Sequence, residues 1–225
     1  MGQGIAEVLT WAVGVAISPI PIIAVILMLF SARARVNGTA FLLGWVVALA
    51  AVSTIVYVLA HDGNVATSST ADDSVSWGQI VLGASLVVLA HRHWRNRPAP
   101  GTEPAMPKWM ASVDRIAPAK AFGLAVLLAA INPKNLLLTL GAATGLAQLG
   151  LSTSDAVVAL VVFVVIASLS IAAPVAYAIF GGEKAKATLD SAKAWLVAHN
   201  AAVMAVLFLV FGVDLIAKGL PSISH

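Results

Sequence analysis

The sequence predicts an all-α integral membrane protein with six transmembrane helices, arranged as a 3+3 inverted repeat whose first and fourth helices are broken. Three observations predict this class. The chain of 225 residues is 60% hydrophobic and only 10% charged, whereas soluble domains carry about 25% charged residues. Apolar runs of about 20 residues, the length that crosses a bilayer, recur along it. Prolines beside polar residues interrupt two of these runs at matching places.

The apolar runs define the predicted spans, and no stretch has the period-two alternation of a transmembrane β-barrel. Residues 1–95 would form the first three-helix repeat, residues 96–117 a cytoplasmic linker, and residues 118–225 the second repeat. Because each half has three spans, the two halves have opposite orientations in the membrane. The six spans are Gly4–Phe30, Thr39–Ala60, Trp77–His91, Pro118–Leu149, Asp155–Phe180 and Asn200–Ala217.

The distribution of Lys and Arg among the loops predicts the orientation, because cytoplasmic loops carry the excess of positive charge. The loops after the first, third and fifth spans are basic, whereas those after the second and fourth contain no Lys or Arg. We therefore expect the odd loops in the cytoplasm and both termini outside. The bases of the odd loops are Arg33, Arg35, Arg92, Arg95, Arg97, Lys108, Arg115, Lys120, Lys184, Lys186 and Lys193.

The linker contains apolar side chains that would share one face of a short helix. Such a helix would lie on the cytoplasmic leaflet, with basic residues toward anionic headgroups. The alternative is a solvated linker with interfacial tryptophan anchors. Since topology explains the basic residues and no nucleic-acid motif is present, no nucleic-acid partner is expected. The apolar side chains are Trp109, Met110, Val113, Ile116 and Ala117.

The first and fourth spans each contain a small polar residue followed by proline, in "SPIP" and "NPKN". Proline breaks a helix interior but is tolerated at the first helical position, and Ser and Asn are preferred N-caps. Each motif therefore predicts a helix that ends and restarts near the bilayer midplane. Broken spans at matching places in two halves indicate a transporter site. The candidate substrate-binding residues are Ser18, Pro19, Pro21, Asn132, Pro133, Lys134 and Asn135.

Lys134 is the central candidate. Inserting a lysine at the bilayer centre costs roughly 2.5–3.5 kcal/mol on insertion scales. A charged residue at that depth therefore suggests a functional site. We expect Lys134 to face a cavity and bind an anion, with the N-termini of the restarted helices beside it. The alternative is a kinked packing helix whose lysine pairs with a structural acid. Asp214, at a similar predicted depth, is a possible counter-ion or proton carrier. Alternatively, Asp214 pairs with Lys218, four residues later.

Other motifs bear on contacts and chemistry. Gly141 and Gly145 form a small-xxx-small pattern, which predicts close helix contact within one protomer or in a homodimer. His91 and His93 would point to different helix faces, so no metal site and no cofactor are expected. The chain has no cysteine, which excludes thiol chemistry. No buried constellation of His, Ser and acid provides a nucleophile, so the protein is not expected to be an enzyme.

The segments "ISPIPIIAVILML", "FLLGW" and "NPKNLLLTLGAA" are similar to a known superfamily, the LysE-type exporters. Within it the chain most resembles the GAP (Sap-like) branch, the actinobacterial glycopeptidolipid- and sulfolipid-addressing proteins. LysE proteins usually have Pro-Gly-Pro where this chain has "SPIP", which disfavours amino-acid export. The resemblance covers nearly the full chain. It implies a bacterial cytoplasmic (inner) membrane protein that moves envelope glycolipids to the cell surface.

These observations favour a transporter or export accessory for an envelope (glyco)lipid or similar anionic amphiphile. Two alternatives remain: a LysE-type exporter of small amino acids or organic anions, and a non-transporting scaffold subunit of a lipid export complex. Export of metal cations is disfavoured, because it requires several intramembrane acids. The expected partners are membrane lipids and a lipid or small anionic substrate.

Overall fold

A computed structural model describes residues 1–63, 77–97 and 116–220, and all regular secondary structure in those ranges is α-helical. Helices suit an apolar environment because they satisfy their backbone hydrogen bonds internally. The helices are α1 (Gly2–Ala16), α2 (Pro19–Leu29), α3 (Ala34–His61), α4 (Trp77–Arg95), α5 (Pro118–Ala130), α6 (Pro133–Gln148), α7 (Thr153–Phe180) and α8 (Gly182–Gly219).

Three helices in the described ranges, namely α3, α7 and α8, are long and apolar enough to cross a membrane. Two pairs of helices are long and apolar enough when taken together, and they are bent by 56° between α1 and α2 and by 61° between α5 and α6, so the described ranges hold up to five spans if each pair is one span. The predicted breaks in the first and fourth spans are therefore confirmed. The third predicted span forms helix α4, which has basic residues in its last turn. By length and composition, α4 is not among the helices that could cross a membrane. The six-span count and the inverted repeat stay predictions.

The chain divides into two compact units that cut across the predicted halves. The first unit contains Met1–Val65 and Met106–Trp195, and the second contains Ala66–Ala105 and Leu196–His225. The first unit therefore holds the first two predicted spans of each half, and the second unit holds the third span of each half. The compact units do not test the predicted repeat, because a repeat is defined by symmetry between two parts of the chain. The division at residues 95 and 118 therefore stays a prediction.

In the first unit, α3 packs against α5, α6 and α7, and α1 packs against α6 and α7. The largest fully buried side chains include Trp45, Phe41 and Phe163. Trp45 Nε1 donates a hydrogen bond to the carbonyl of Ala167 at 3.4 Å, which ties α3 to α7. These contacts hold the helices that carry the two breaks against one another.

The second unit contains a close crossing of α4 and the end of α8. A Cβ at Gly83 would lie 2.6 Å from the carbonyl oxygen of Gly212, and a Cβ at Gly212 would lie 2.8 Å from that of Gly83. Glycine is therefore required on both helices, as is common where membrane helices approach closely. The same two helices also meet at the rings of His93 and Phe208, which are 5.4 Å apart.

The predicted fifth loop is wrong as a loop, since α8 begins at Gly182 and continues without interruption into the sixth predicted span. Its composition explains this, because Ala, Lys, Glu and Leu are strong helix formers. The segment differs from the spans in its charge, and charge alone does not end a helix. In the linker, Trp109, Met110 and Val113 lie outside the described residues, so the interfacial helix stays a prediction.

The first unit places its connections at two ends. At one end, the N-terminal amine lies 3.0 Å from the Asp155 carboxylate, next to the α6–α7 connection. At the other end, Asn37 Nδ2 donates to the Ile116 carbonyl, just before α5, at 3.1 Å. The Lys193 ammonium, in the first turns of α8, also lies at this end, 5.1 Å from the ring of Phe30. This grouping agrees with the charge pattern, although the side that faces the cytoplasm stays a prediction.

Candidate functional site at two helix breaks

Three predicted site residues meet in one hydrogen-bonded group. The ammonium of Lys134 donates to the hydroxyl of Ser18 at 2.7 Å, and that hydroxyl lies 2.8 Å from Asn135 Oδ1. All three residues are buried, with at most 5% of their surface exposed. We call Ser18, Lys134 and Asn135 the central cluster. It joins the break between α1 and α2 to the break between α5 and α6.

The first break leaves two carbonyl groups without their usual donors. In a continuous helix each carbonyl accepts from the N–H four residues later. Pro19 and Pro21 have no N–H, so the carbonyls of Val15 and Ile17 need other partners. The Ser18 hydroxyl lies 2.7 Å from the Val15 carbonyl, and the Lys134 ammonium lies 2.7 Å from the Ile17 carbonyl. The central cluster therefore places a donor beside each of these carbonyls, and the single proton of the Ser18 hydroxyl is shared between the Val15 carbonyl and Asn135 Oδ1.

Lys134 also pairs a third acceptor. The N–H of Ser18 bonds to the carbonyl of Ala16 at 2.9 Å, so it does not bond to Gly14 as it would in a regular helix. The Lys134 ammonium donates to the Gly14 carbonyl at 2.8 Å instead. All three ammonium donors are thus matched to acceptors at the C-terminal end of α1. This end carries a partial negative charge that favours a cation.

The second break is capped by residues of its own span. Asn132 is the N-cap of α6, and its Oδ1 accepts from the backbone N–H of Lys134 at 3.1 Å. The N–H of Asn132 bonds back to the carbonyl of Leu127, and Asn135 Nδ2 donates to the carbonyl of Leu128 at 3.0 Å. The prediction that "NP" caps and restarts a helix is confirmed here.

At the first break, the prediction of a capping serine is only half right. Ser18 occupies the N-cap position of α2, but its side chain makes no capping bond. An N-cap side chain normally accepts from the second or third backbone N–H of the helix. The third residue of α2 is Pro21, which has none. The Ser18 hydroxyl instead turns back toward the Val15 carbonyl of α1.

The electrostatics of the breaks differ from the expectation based on helix N-termini alone. Each break also creates a C-terminal helix end, so partial charges of both signs meet there. The contacts of the Lys134 ammonium are two carbonyls and a hydroxyl, all neutral. The ion pairs within the described ranges involve other residues. The central cluster therefore contains one basic side chain, Lys134, and no acidic side chain.

The structure leaves the role of Asp214 open. This residue is half-buried on α8 and belongs to the second unit, whereas Lys134 belongs to the first. Its pairing with Lys134 and the alternative pairing with Lys218 both stay predictions. The predicted anion site likewise stays a prediction. Within the described ranges, no group of three or more His, Asp or Glu side chains is arranged to hold a metal ion.

A second acid in a span, Glu7, was not predicted. Glu7 is half-buried on α1, accepts a hydrogen bond from Trp11 Nε1 at 3.4 Å, and lies against Gly145 of α6. A Cβ at Gly141 would lie 2.8 Å from the Trp11 ring. The predicted close contact at this glycine pair is therefore confirmed as a contact within the chain, while a homodimer stays a prediction. The sequence could have indicated Glu7, because this acid falls inside the predicted span Gly4–Phe30.

The family comparison matches nearly the whole chain. A family model described as SfLAP (Sap, sulfolipid-1-addressing protein) matches residues 8–221, which include both breaks and the central cluster. The chain belongs to the Sap family. The resemblance to the Sap-like branch is thereby confirmed, and the wider relation to LysE exporters stays a prediction. No curated protein and no solved structure matches the chain.

Proposed function

We propose that this Sap-family protein moves an envelope lipid with an anionic head across the cytoplasmic membrane, and that the head passes the central cluster. The observation that carries the proposal is the position of Lys134, a buried basic side chain whose described contacts are all neutral. A buried cation without a counter-ion attracts an anion strongly, because the surroundings screen it weakly. The family name supports this choice, since a sulfolipid has an acidic, sulfur-containing head.

The head would bind by exchange of hydrogen-bond partners. Ionised oxygen atoms form shorter and stronger hydrogen bonds with an ammonium group than neutral carbonyls do. When Lys134 turns to the head, the carbonyls of Gly14 and Ile17 lose their donor. Each buried carbonyl left unpaired costs roughly 1–3 kcal/mol. Binding is therefore coupled to a change at the α1–α2 break, where water or a new backbone bond must replace the lysine.

The second break offers the side from which a lipid can approach. Ile131 is 64% exposed, Pro133 is exposed and Asn132 is half-buried, so this break reaches the surface of its unit. A head that reaches Lys134 from this side would leave its acyl chains in the surrounding bilayer. This arrangement suits an amphiphile better than a small solute, which needs an enclosed aqueous path.

The direct test is transfer by the purified full-length protein in liposomes. The vesicles would contain a sulfated glycolipid or, as the matched control, the same lipid without its sulfate. An impermeant reagent would measure the lipid that reaches the opposite leaflet. We expect transfer of the sulfated lipid to be at least about tenfold faster, which corresponds to ~1.4 kcal/mol of preference. Equal rates for the two lipids would contradict selection by charge.

A deletion strain separates the two alternatives from lipid transfer. The proposal predicts that an acidic envelope lipid keeps its total amount but disappears from the cell surface. Unchanged surface lipids with an amino acid or organic acid accumulating inside the cell would favour small-solute export. Loss of the surface lipid, together with no transfer of either lipid in liposomes, would favour the scaffold.

We also propose that both termini lie outside the cytoplasmic membrane. The chain has no cysteine, so single cysteines can report sidedness without background. Gln148→Cys lies at the end of α6 and Ser191→Cys lies at the other end of the first unit, and both positions are exposed. On intact cells, an impermeant thiol reagent should label the first variant and not the second. The reverse pattern would overturn the orientation.

A further inference from the structure

A charged surface groove lies at the far end of α2 from the central cluster. Within it, the Lys193 ammonium bonds to the Asp190 carboxylate at 2.6 Å and lies 5.1 Å from the ring of Phe30. Lys186 is exposed at the same place. We call this recess the α2–α8 groove, and it is lined by Phe30, Lys186, Ala187, Asp190 and Lys193.

The length of α2 fixes where the groove lies relative to the central cluster. The helix has 11 residues, which span about 16 Å at 1.5 Å per residue. This is roughly half of the ~30 Å hydrocarbon core of a bilayer. Ser18 precedes the first residue of α2, and Phe30 follows the last. If the cluster lies near the midplane, the groove therefore lies at the membrane surface.

The charges around the groove favour an anion. Its lining has two lysines and one carboxylate. Arg33 and Arg35, which follow Phe30 closely in the chain, are exposed and add two positive charges at this end of the first unit. Beside the ammonium groups, the half-buried ring of Phe30 provides an apolar surface. Positive groups next to an apolar surface at membrane depth suit an acidic head that is attached to a lipid tail.

We propose that the α2–α8 groove is the loading site where the acidic head of the substrate lipid binds before it moves to the central cluster. The naming of the ligand rests on the proposed function, whereas the position and charge of the site do not. Lys186 and Lys193 hold the head. Asp190 competes with the head for Lys193, so the carboxylate limits the affinity and keeps the groove from retaining its ligand.

Binding of a lipid probe to the purified full-length protein in detergent micelles tests the site. The probe is a sulfated glycolipid with a fluorophore on its acyl chain. We expect Lys186→Gln and Lys193→Gln to weaken binding about fivefold each, as the loss of one partly exposed charge pair allows. Asp190→Asn should strengthen binding about two- to fivefold, because it frees Lys193. General damage to the protein would weaken binding in all three variants, so it cannot explain stronger binding in Asp190→Asn.

The matched control is Lys184→Gln, which removes an exposed lysine of the same helix that does not line the groove. It should bind the probe as the wild type does, and an equal loss in this variant would reduce the site to general surface charge. Free sulfate at millimolar concentration should displace little probe. Efficient displacement by free sulfate would overturn the assignment to a lipid head. Wild-type affinity in Lys186→Gln and Lys193→Gln would overturn the site itself.

Transfer in liposomes separates this proposal from the proposed function. If the groove only loads the lipid, Lys186→Gln should slow transfer at low lipid content and approach the wild-type rate at high content. Lys134→Met should abolish transfer while it leaves probe binding at the groove within about twofold of the wild type. Unimpaired transfer by Lys186→Gln at low lipid content would contradict the loading role even if the protein moves lipid.

Discussion

The two helix breaks bend by nearly the same angle, 56° and 61°, but they obtain their hydrogen bonds differently. At the break between α5 and α6, Asn132 and Asn135 of the same span pair the N–H of Lys134 and the carbonyl of Leu128. At the break between α1 and α2, Ser18 pairs one carbonyl, and Lys134 of α6 pairs two more. These side-chain bonds at the second break therefore come from its own span, whereas the first break depends on a residue from the second.

This asymmetry follows from the number of prolines. The first break has two prolines within three positions, Pro19 and Pro21, and the second has Pro133 alone. Each proline removes one backbone hydrogen-bond donor. At the first break, the ammonium of the distant Lys134 provides hydrogen bonds in their place. Lys134 also uses its backbone N–H in the cap of α6. One residue thus connects both breaks, so a ligand that engages its ammonium acts on α1 and α2 first.

The largest expected effect on stability is that of Lys134→Met, which keeps the side-chain length and removes the ammonium. It leaves the buried carbonyl of Gly14 and the partly buried carbonyl of Ile17 without their donor, so we expect a loss of roughly 2–4 kcal/mol in the free energy of unfolding. Unfolding in mixed detergent micelles measures it. The control is Lys184→Met, which makes the same substitution at an exposed lysine. It should change the free energy of unfolding by less than about 0.5 kcal/mol. An unchanged stability in Lys134→Met would mean that the lysine supports neither break.

A smaller effect is expected for Ser18→Ala. This change removes the partner of the Val15 carbonyl and one acceptor of Lys134, at a cost of roughly 1–3 kcal/mol. Ser85→Ala is the matched control, because the exposed Ser85 hydroxyl only bonds to Val81 within its own helix. The same unfolding measurement applies to both variants. If they lose equal stability, the first break does not depend on the hydroxyl of Ser18.

The smallest effect is expected for Asn132→Ala, at the break between α5 and α6. It removes one side-chain cap, which typically costs about 1 kcal/mol, while Asn135 still pairs the Leu128 carbonyl. Hydrogen exchange should detect faster exchange at the first turn of α6 and no change at α1. Faster exchange at α1 would indicate that the second break depends on the first as much as the reverse.

Much of this architecture was predictable because it follows from local chemistry. Ser-Pro and Asn-Pro place a cap residue before a proline, and both mark the start of a new helix. Pro174, which follows an alanine, lies inside α7 without ending it. Proline alone therefore does not predict a break, whereas proline after a capping residue did so twice. The apolar runs likewise located most of the helices to within a few residues.

Two of the three partners of the Lys134 ammonium were not predictable, because they are backbone carbonyls more than one hundred residues away in the chain. A charged side chain suggests a charged partner, so a carboxylate or an anion was the natural expectation. A carbonyl that has lost its donor leaves no mark in the composition. It becomes visible only when each proline near a break is matched to the carbonyl four residues before it. That count, applied to Pro19 and Pro21, yields Val15 and Ile17.

The central claim is that Lys134 replaces the donor that Pro21 lacks, and a double-mutant cycle tests it directly. Pro21→Ala returns a backbone N–H that can bond to the Ile17 carbonyl. We predict that Lys134→Met destabilises the Pro21→Ala variant less than the wild type, by about 1 kcal/mol. The control cycle with Pro174→Ala in α7 should be additive. Additivity of Lys134→Met with Pro21→Ala as well, to within about 0.3 kcal/mol, would contradict the claim.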